Sequence, residues 1–175
     1  GAVLTGRDLF YYARELYYNE RDEEAQKAFM DFLEQNGGYI ENKIEACRFL
    51  AFCRYRLKKD SEALEALLGS LKYDRPRAEL CCDIGKHYLD RNAPANALSW
   101  FELALTIKRN DASGAFILPD CYDYIPFMQL CVCYDKLGNT AAAEECNRRA
   151  GLLKPNSPAY QHNKRYFDSK RSKKQ

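Results

Sequence analysis

The chain has 175 residues, 46% hydrophobic and 30% charged, enough for one folded domain and too apolar for a disordered segment. No apolar run approaches the ~18 residues of a membrane-crossing helix, and no basic–apolar–small leader pattern is read at the N-terminus. The net charge of +2 is uneven. Lys164, Arg165, Lys170, Arg171, Lys173 and Lys174 face only Asp168 within 161–175, which leaves a mildly acidic body and a short basic tail. An acidic body disfavours nucleic acid as a partner, and the tail reads as a solvated terminus. The opening Gly1-Ala2-Val3 lacks methionine, as expected of a trimmed product or a piece of a longer protein, with Gly1 an expression remnant.

In chain order, 6–19 places Leu9, Tyr12, Ala13 and Leu16 on one helical face. Its partner, 21–36, carries Ala25, Ala28, Phe29 and Phe32 and stops at Asn36-Gly37-Gly38. Helices over 39–57 and 60–74 follow, the second opened by Asp60 and Ser61 and closed before Pro76. Next come 76–91 and 93–108, with Pro94 in a first turn, where its missing donor costs nothing. Residues 106–119 form an insertion, polar to Ser113 and apolar at Phe116-Ile117-Leu118-Pro119. Long loops in compact repeats are often functional. The favoured reading is packing, with Asp120 or Asp123 capping the next helix and the tyrosines lying on the preceding repeat. Gly138 ends that helix, another runs to Leu153, and a last one spans 157–169 with Tyr160, Asn163, Tyr166 and Phe167 inward.

The helices repeat. Ala25, Ala63, Ala97 and Ala143 recur at spacings of 38, 34 and 46 residues. Twelve residues before each stands Ala13, Ala51, Gly85 or Cys131, and four after each stands Phe29, Leu67, Phe101 or Asn147. Gly85-Lys86-His87-Tyr88 followed by Ala97-Leu98-Ser99-Trp100-Phe101 is the fullest copy, and Arg54 interrupts the second. The pattern resembles the tetratricopeptide repeat. It implies an all-α fold: a right-handed superhelix of four helical hairpins (6–36, 39–74, 76–108, 120–155) plus a C-terminal capping helix and the basic tail 170–175, as a single domain over 1–175.

The eight cysteines recur at repeat-equivalent places, Cys47 with Cys81 and Cys53 with Cys133. They read as small packing residues kept reduced in a cytoplasm rather than as disulfides. No Cys-x-x-Cys occurs, so zinc is disfavoured. Asp120 and Asp123 lack a nearby nucleophile, and Asp60-Ser61-Glu62 fits a helix start better than a metal–nucleotide triplet. No catalytic residue, metal or cofactor is therefore expected in this chain.

In such repeats the first helix of each hairpin lines the concave side. That register selects Arg7, Phe10, Arg14 and Tyr17, then Glu45, Arg48, Phe52 and Tyr55, then Glu79, Cys82, Lys86 and Leu89, and finally Ile125, Met128, Val132 and Asp135. Of these, Arg7, Phe10, Arg14, Tyr17, Arg48, Phe52, Tyr55, Lys86 and Met128 are the candidate partner-binding residues. Arginine beside aromatics suits an extended or helical peptide with an acidic stretch and an apolar anchor. The set does not resemble the lysine–asparagine carboxylate clamp of chaperone-binding repeats.

Three strings look more specific: Leu4-Thr5-Gly6-Arg7-Asp8-Leu9-Phe10-Tyr11-Tyr12-Ala13-Arg14-Glu15-Leu16-Tyr17, Asp120 to Pro126 with Gln129 to Gly138, and Asn147 to Asn156 with Asn163 to Phe167. Together they resemble the tetratricopeptide region that follows the catalytic domain of bacterial family-2 glycosyltransferases, with Cys146 where that subgroup has histidine. The resemblance implies a non-catalytic accessory region that holds an acceptor or mediates dimerisation, attached to a transferase domain absent from this chain. A free-standing cytoplasmic scaffold or adaptor is the alternative. RNA binding by helical repeats is a weaker third reading, against which the acidic body argues.

Overall fold

A computed structural model describes residues 5–172. Residues 173–175 of the expected basic tail, and Gly1 to Leu4, lie outside the described residues. Their regular secondary structure is entirely helical, with no strand among the described residues. The α-helices are α1 (Gly6–Tyr18), α2 (Asp22–Glu34), α3 (Ile40–Arg56), α4 (Asp60–Gly69), α5 (Ala78–Asp90), α6 (Pro94–Thr106), α7 (Tyr124–Lys136), α8 (Thr140–Leu153) and α9 (Pro158–Ser172). Short 3-10 turns occupy Ser70–Lys72, Asp111–Ser113 and Pro119–Tyr122.

The chain divides into two compact units, one comprising the residues up to Pro76 with Ala112–Phe116, the other Arg77–Asp111 with Ile117 onward. In the first unit α1 pairs with α2, α2 with α3 and α3 with α4. In the second, α5 pairs with α6, α6 with α7, α7 with α8, and α8 with α9.

One device makes all four hairpin turns. Glu20, Lys58, Asn92 and Gly138 each stand five residues before the aligned alanine, and each has a left-handed backbone, with φ of 57°, 62°, 55° and 82°. The following amide reaches back over the helix end: Arg21 N–H to the Leu16 carbonyl (3.0 Å), Lys59 to Arg54 (2.8 Å), Ala93 to Tyr88 (2.9 Å) and Asn139 to Tyr134 (2.9 Å). These bonds satisfy carbonyls that a helix end otherwise leaves without a donor.

The first core is aromatic. Phe10, Phe29 and Phe32 are buried, and Phe29 stacks on Phe49 with ring centroids 5.7 Å apart. The second core gathers Ala78, Cys81, Ala97, Phe101, Leu130, Cys133 and Ala143. Gly85 is demanded by a close approach, because a Cβ there would stand 2.7 Å from the Phe101 ring. All eight cysteines are buried free thiols. Burial pushes Cys81 and Cys131 up to about 12.

Local differences from the sequence reading have physical causes. In α1 the buried residues are Phe10, Ala13 and Leu16, while Tyr12 is exposed, because α2 presents Phe29 and Phe32 to Phe10. Asp60 is the first residue of α4 and no side chain caps that helix, which stops at Gly69 and ends in a 3-10 turn. Asp123 does cap α7, accepting from the Tyr124 N–H. Tyr122 packs on the preceding repeat by donating its hydroxyl to Glu79 (3.1 Å), whereas Tyr124 bonds Ser157 instead. On α9 Phe167 is buried, but Tyr166 is exposed and only its hydroxyl points home, to Asp135 (2.9 Å).

Candidate functional site

Within the first unit the register places Arg7, Phe10, Arg14 and Tyr17 on α1 and Arg48, Phe52 and Tyr55 on α3. Their surroundings differ. Phe10 is fully buried and serves the core, with its ring 5.4 Å from Phe32 and 6.5 Å from Phe116, so it offers no surface. Arg48 is buried too, held 3.1 Å from Glu45 with its guanidinium 5.6 Å over Phe52. Tyr17 is clasped from α3: Arg56 lies 4.0 Å over its ring, donates to its carbonyl (3.1 Å) and pairs with Asp22 at 2.6 Å. Burial raises the Tyr17 phenol against the opposing pull of that arginine. Phe52 and Tyr55 are half-buried.

Arg14 is the unusual member. Its guanidinium carbon lies 5.7–5.8 Å from five ring centroids, those of Phe10, Tyr11, Tyr18, Phe49 and Phe116. One terminal nitrogen donates to the Tyr18 hydroxyl at 3.5 Å, and the buried Nε–H has no acceptor. Neither Arg14 nor Arg7 has an ion-pair partner among the described residues, whereas Arg48, Arg54 and Arg56 of the neighbouring α3 all do. A guanidinium over ring faces is stabilised by each by about 0.5–1 kcal/mol, and more when water is excluded. The rings fix the side chain without neutralising it.

Beside Arg14 the segment 112–116 closes a cleft of about 500 Å³ lined by Gly6, Arg7, Tyr11, Tyr39, Asn42 and Phe116. Arg7 lies 5.8 Å over the Tyr11 ring. Tyr11, Tyr39 and Phe116 are 43%, 56% and 40% exposed, so three aromatic faces are open beside two cations. Gly114 makes the closure: its φ of +72° suits glycine, and the Tyr39 hydroxyl sits 2.5 Å from where a Cβ would stand. The repeat register could not supply Phe116 or Tyr39, since neither belongs to a repeat position. The apolar Phe116-Ile117-Leu118 run was the only signal for Phe116, and no pattern marked Tyr39.

In the second unit, Lys86 is exposed and pairs with Asp90 at 2.8 Å along α5, while Met128 is buried. Glu79 is buried, accepting from the Leu118 N–H (2.8 Å) and the Tyr122 hydroxyl (3.1 Å), which ties the end of the insertion to α5. Burial and that carboxylate push the Tyr122 phenol up. Among the described residues no cluster of three His, Cys, Asp or Glu side chains could hold a metal.

No family model matches the chain, and no curated protein matches it. Solved structures do. PilF of Pseudomonas aeruginosa superposes with a TM-score of 0.68 at 18% identity, over 93% of this chain and 67% of that one. PilW, a type IV pilus biogenesis factor, gives 0.68 at 22% identity over 91% and 66%. YrrB, a tetratricopeptide protein with an unusual peptide-binding site, gives 0.51 at 15% over 92% of both chains. This chain thus spans about two thirds of the length of PilF and PilW. Its fold is the all-α tetratricopeptide type.

Proposed function

We propose that this chain is a protein-interaction module that captures an acidic peptide segment bearing an aromatic or large apolar anchor, on the Arg7–Arg14 face of the first unit. The carrying observation is Arg14: a cation held among five rings, with a donor that nothing accepts. A carboxylate beside it gains a charge-assisted bond, and an apolar side chain finds Tyr11, Tyr39 and Phe116 in the adjoining cleft. YrrB, of the same fold, has a peptide-binding site. We place the module as the accessory C-terminal region of a bacterial family-2 glycosyltransferase, cytoplasmic, where it holds the acceptor or joins two copies. The three sequence strings that resemble that subgroup support this placement.

The test is fluorescence anisotropy with a labelled fifteen-residue glutamate-rich peptide containing two phenylalanines. The double variant Arg7→Glu with Arg14→Leu should weaken binding by about tenfold or more, a loss of ~1.4 kcal/mol. Unchanged affinity would remove the face from the site. Reversing Arg48 is a poor probe, since it breaks a buried ion pair with Glu45. The transferase placement is tested apart, by the mass of the native gene product in its own cell. A species much heavier than 20.3 kDa that transfers sugar from a nucleotide supports it; a product near that mass refutes it.

A further inference from the structure

Position 147 breaks a rule that the other three repeats keep. Four residues after the aligned alanine, Phe29, Leu67 and Phe101 are each fully buried large apolar side chains. The fourth repeat has Asn147, 4% exposed. Its Nδ2 donates to the Tyr160 carbonyl at 3.4 Å, which fixes the amide's orientation, since an oxygen there would face another oxygen. The Oδ1 is buried with no hydrogen-bond partner. A buried acceptor without a donor is destabilising, and a position that breaks the local rule at such a cost marks a site.

Asn147 opens onto a cleft of about 460 Å³ between α8 and α9, bounded by Ala141, Arg148, Tyr160, Lys164 and Phe167. The carboxylates around it are engaged: Glu145 with Arg148 and Arg149, both at 2.8 Å, and Glu144 and Asp168 with Arg171. Lys164 has no hydrogen bond or ion pair among the described residues. What the cleft still offers is therefore one buried acceptor, one free ammonium and the half-buried ring of Tyr160.

We propose that the α8–α9 cleft is a second binding site, taking an extended acidic peptide by its backbone. A peptide N–H donates to Asn147 Oδ1, a glutamate or aspartate carboxylate meets Lys164, and the neighbouring apolar side chain rests on Tyr160. An extended strand fits where a helix does not, because amides in a helix interior are already bonded, while a strand turns successive side chains to opposite sides. A basic peptide is excluded, because the acids that would receive it hold arginines. This site lies wholly in the second unit and needs nothing from the Arg14 face.

The test uses the full 175-residue chain labelled with nitrogen-15, titrated with a terminally blocked hexapeptide alternating glutamate and leucine. The Asn147 side-chain amide and the Lys164 backbone amide should shift together and saturate, and a lysine–leucine hexapeptide should move neither. Asn147→Leu restores the residue type of the other repeats, so it should fold with an unchanged or higher thermal midpoint and lose this binding. Lys164→Glu, an exposed change that spares folding, should weaken it by about tenfold or more. The proposal falls if the peptide shifts only resonances of the Arg14 face, if Asn147→Leu binds as the parent does, or if Lys164→Glu leaves affinity unchanged.

Discussion

The four left-handed turn residues set up a reciprocal substitution experiment. Glu20, Lys58 and Asn92 hold φ of 57°, 62° and 55° without being glycine, whereas Gly138 holds 82°. A side chain in this conformation costs roughly 1–2 kcal/mol, and glycine returns about 0.5–1 kcal/mol of that through the extra freedom of the unfolded chain. The exposed side chains of Glu20 and Lys58 make no hydrogen bond or ion pair among the described residues, so nothing else is lost on removing them. Glu20→Gly and Lys58→Gly should each stabilise by about 0.5–1 kcal/mol, raising the thermal midpoint by roughly 1–4 °C in a chain of this size. Gly138→Ala should destabilise by a similar amount. Asn92→Gly should change little, because asparagine tolerates this region and its side-chain Oδ1, which would be lost, accepts from Lys136 Nζ at 3.3 Å. Urea denaturation followed by circular dichroism at the helical minimum reads all four. A stability loss in Lys58→Gly and Glu20→Gly would refute the common-turn account, as would an indifferent Gly138→Ala.

Burial holds Cys47, Cys53 and Cys133 at about 11 and Cys81 and Cys131 at about 12. The folded chain therefore keeps thiol protons that the unfolded chain releases near pH ~8.5. Stability should be full below that pH and fall as pH climbs through 11 to 12; a urea midpoint that stays flat from neutral pH to about pH 10.5 would contradict this. Glu79→Ala removes the acceptor of the part-buried Leu118 N–H and Tyr122 hydroxyl, at a cost of about 0.5–1.5 kcal/mol for each bond. Hydrogen exchange at Leu118 should quicken, with Glu79→Gln in between; equal protection in all three would show that the carboxylate does not hold the insertion. Burial alone would raise the Asp135 carboxyl, but hydrogen bonds from Lys170 and Tyr166 outweigh it and hold it below the usual range. This contribution is present above the unfolded value near pH ~3.9 and lost as pH falls through the lower folded value. Lys170→Met should leave α9 more open to proteolysis at neutral pH and nearly unchanged in acid, and equal cleavage at both pH values would count against it.

What the sequence made legible was what repeats. The alanine spacing locates four hairpins because a small residue against a large one is a packing need met afresh in every repeat, as Gly85 against Phe101 shows. The turns were legible only at Gly138, since Glu20 and Lys58 adopt the same backbone with no residue type to announce it. The candidate face was half legible for a related reason. A register assigns faces to helices, so it found Arg14 on α1, but it also gave the groove Phe10, Tyr17 and Arg48, which α2 and α3 claim for the core or for ion pairs. Phe116 completes the rings around Arg14 from a segment about a hundred residues distant in sequence, outside any repeat. Asn147 carries the reverse lesson: it was visible from the start as the one exception among Phe29, Leu67 and Phe101, yet an exception has no chemistry until its neighbours are known. Only the buried oxygen and the unpaired Lys164 across the cleft turn that mismatch into a site with a ligand class. Periodicity therefore identifies the scaffold, and function is sought where one member of the periodic set keeps its place but not its residue type.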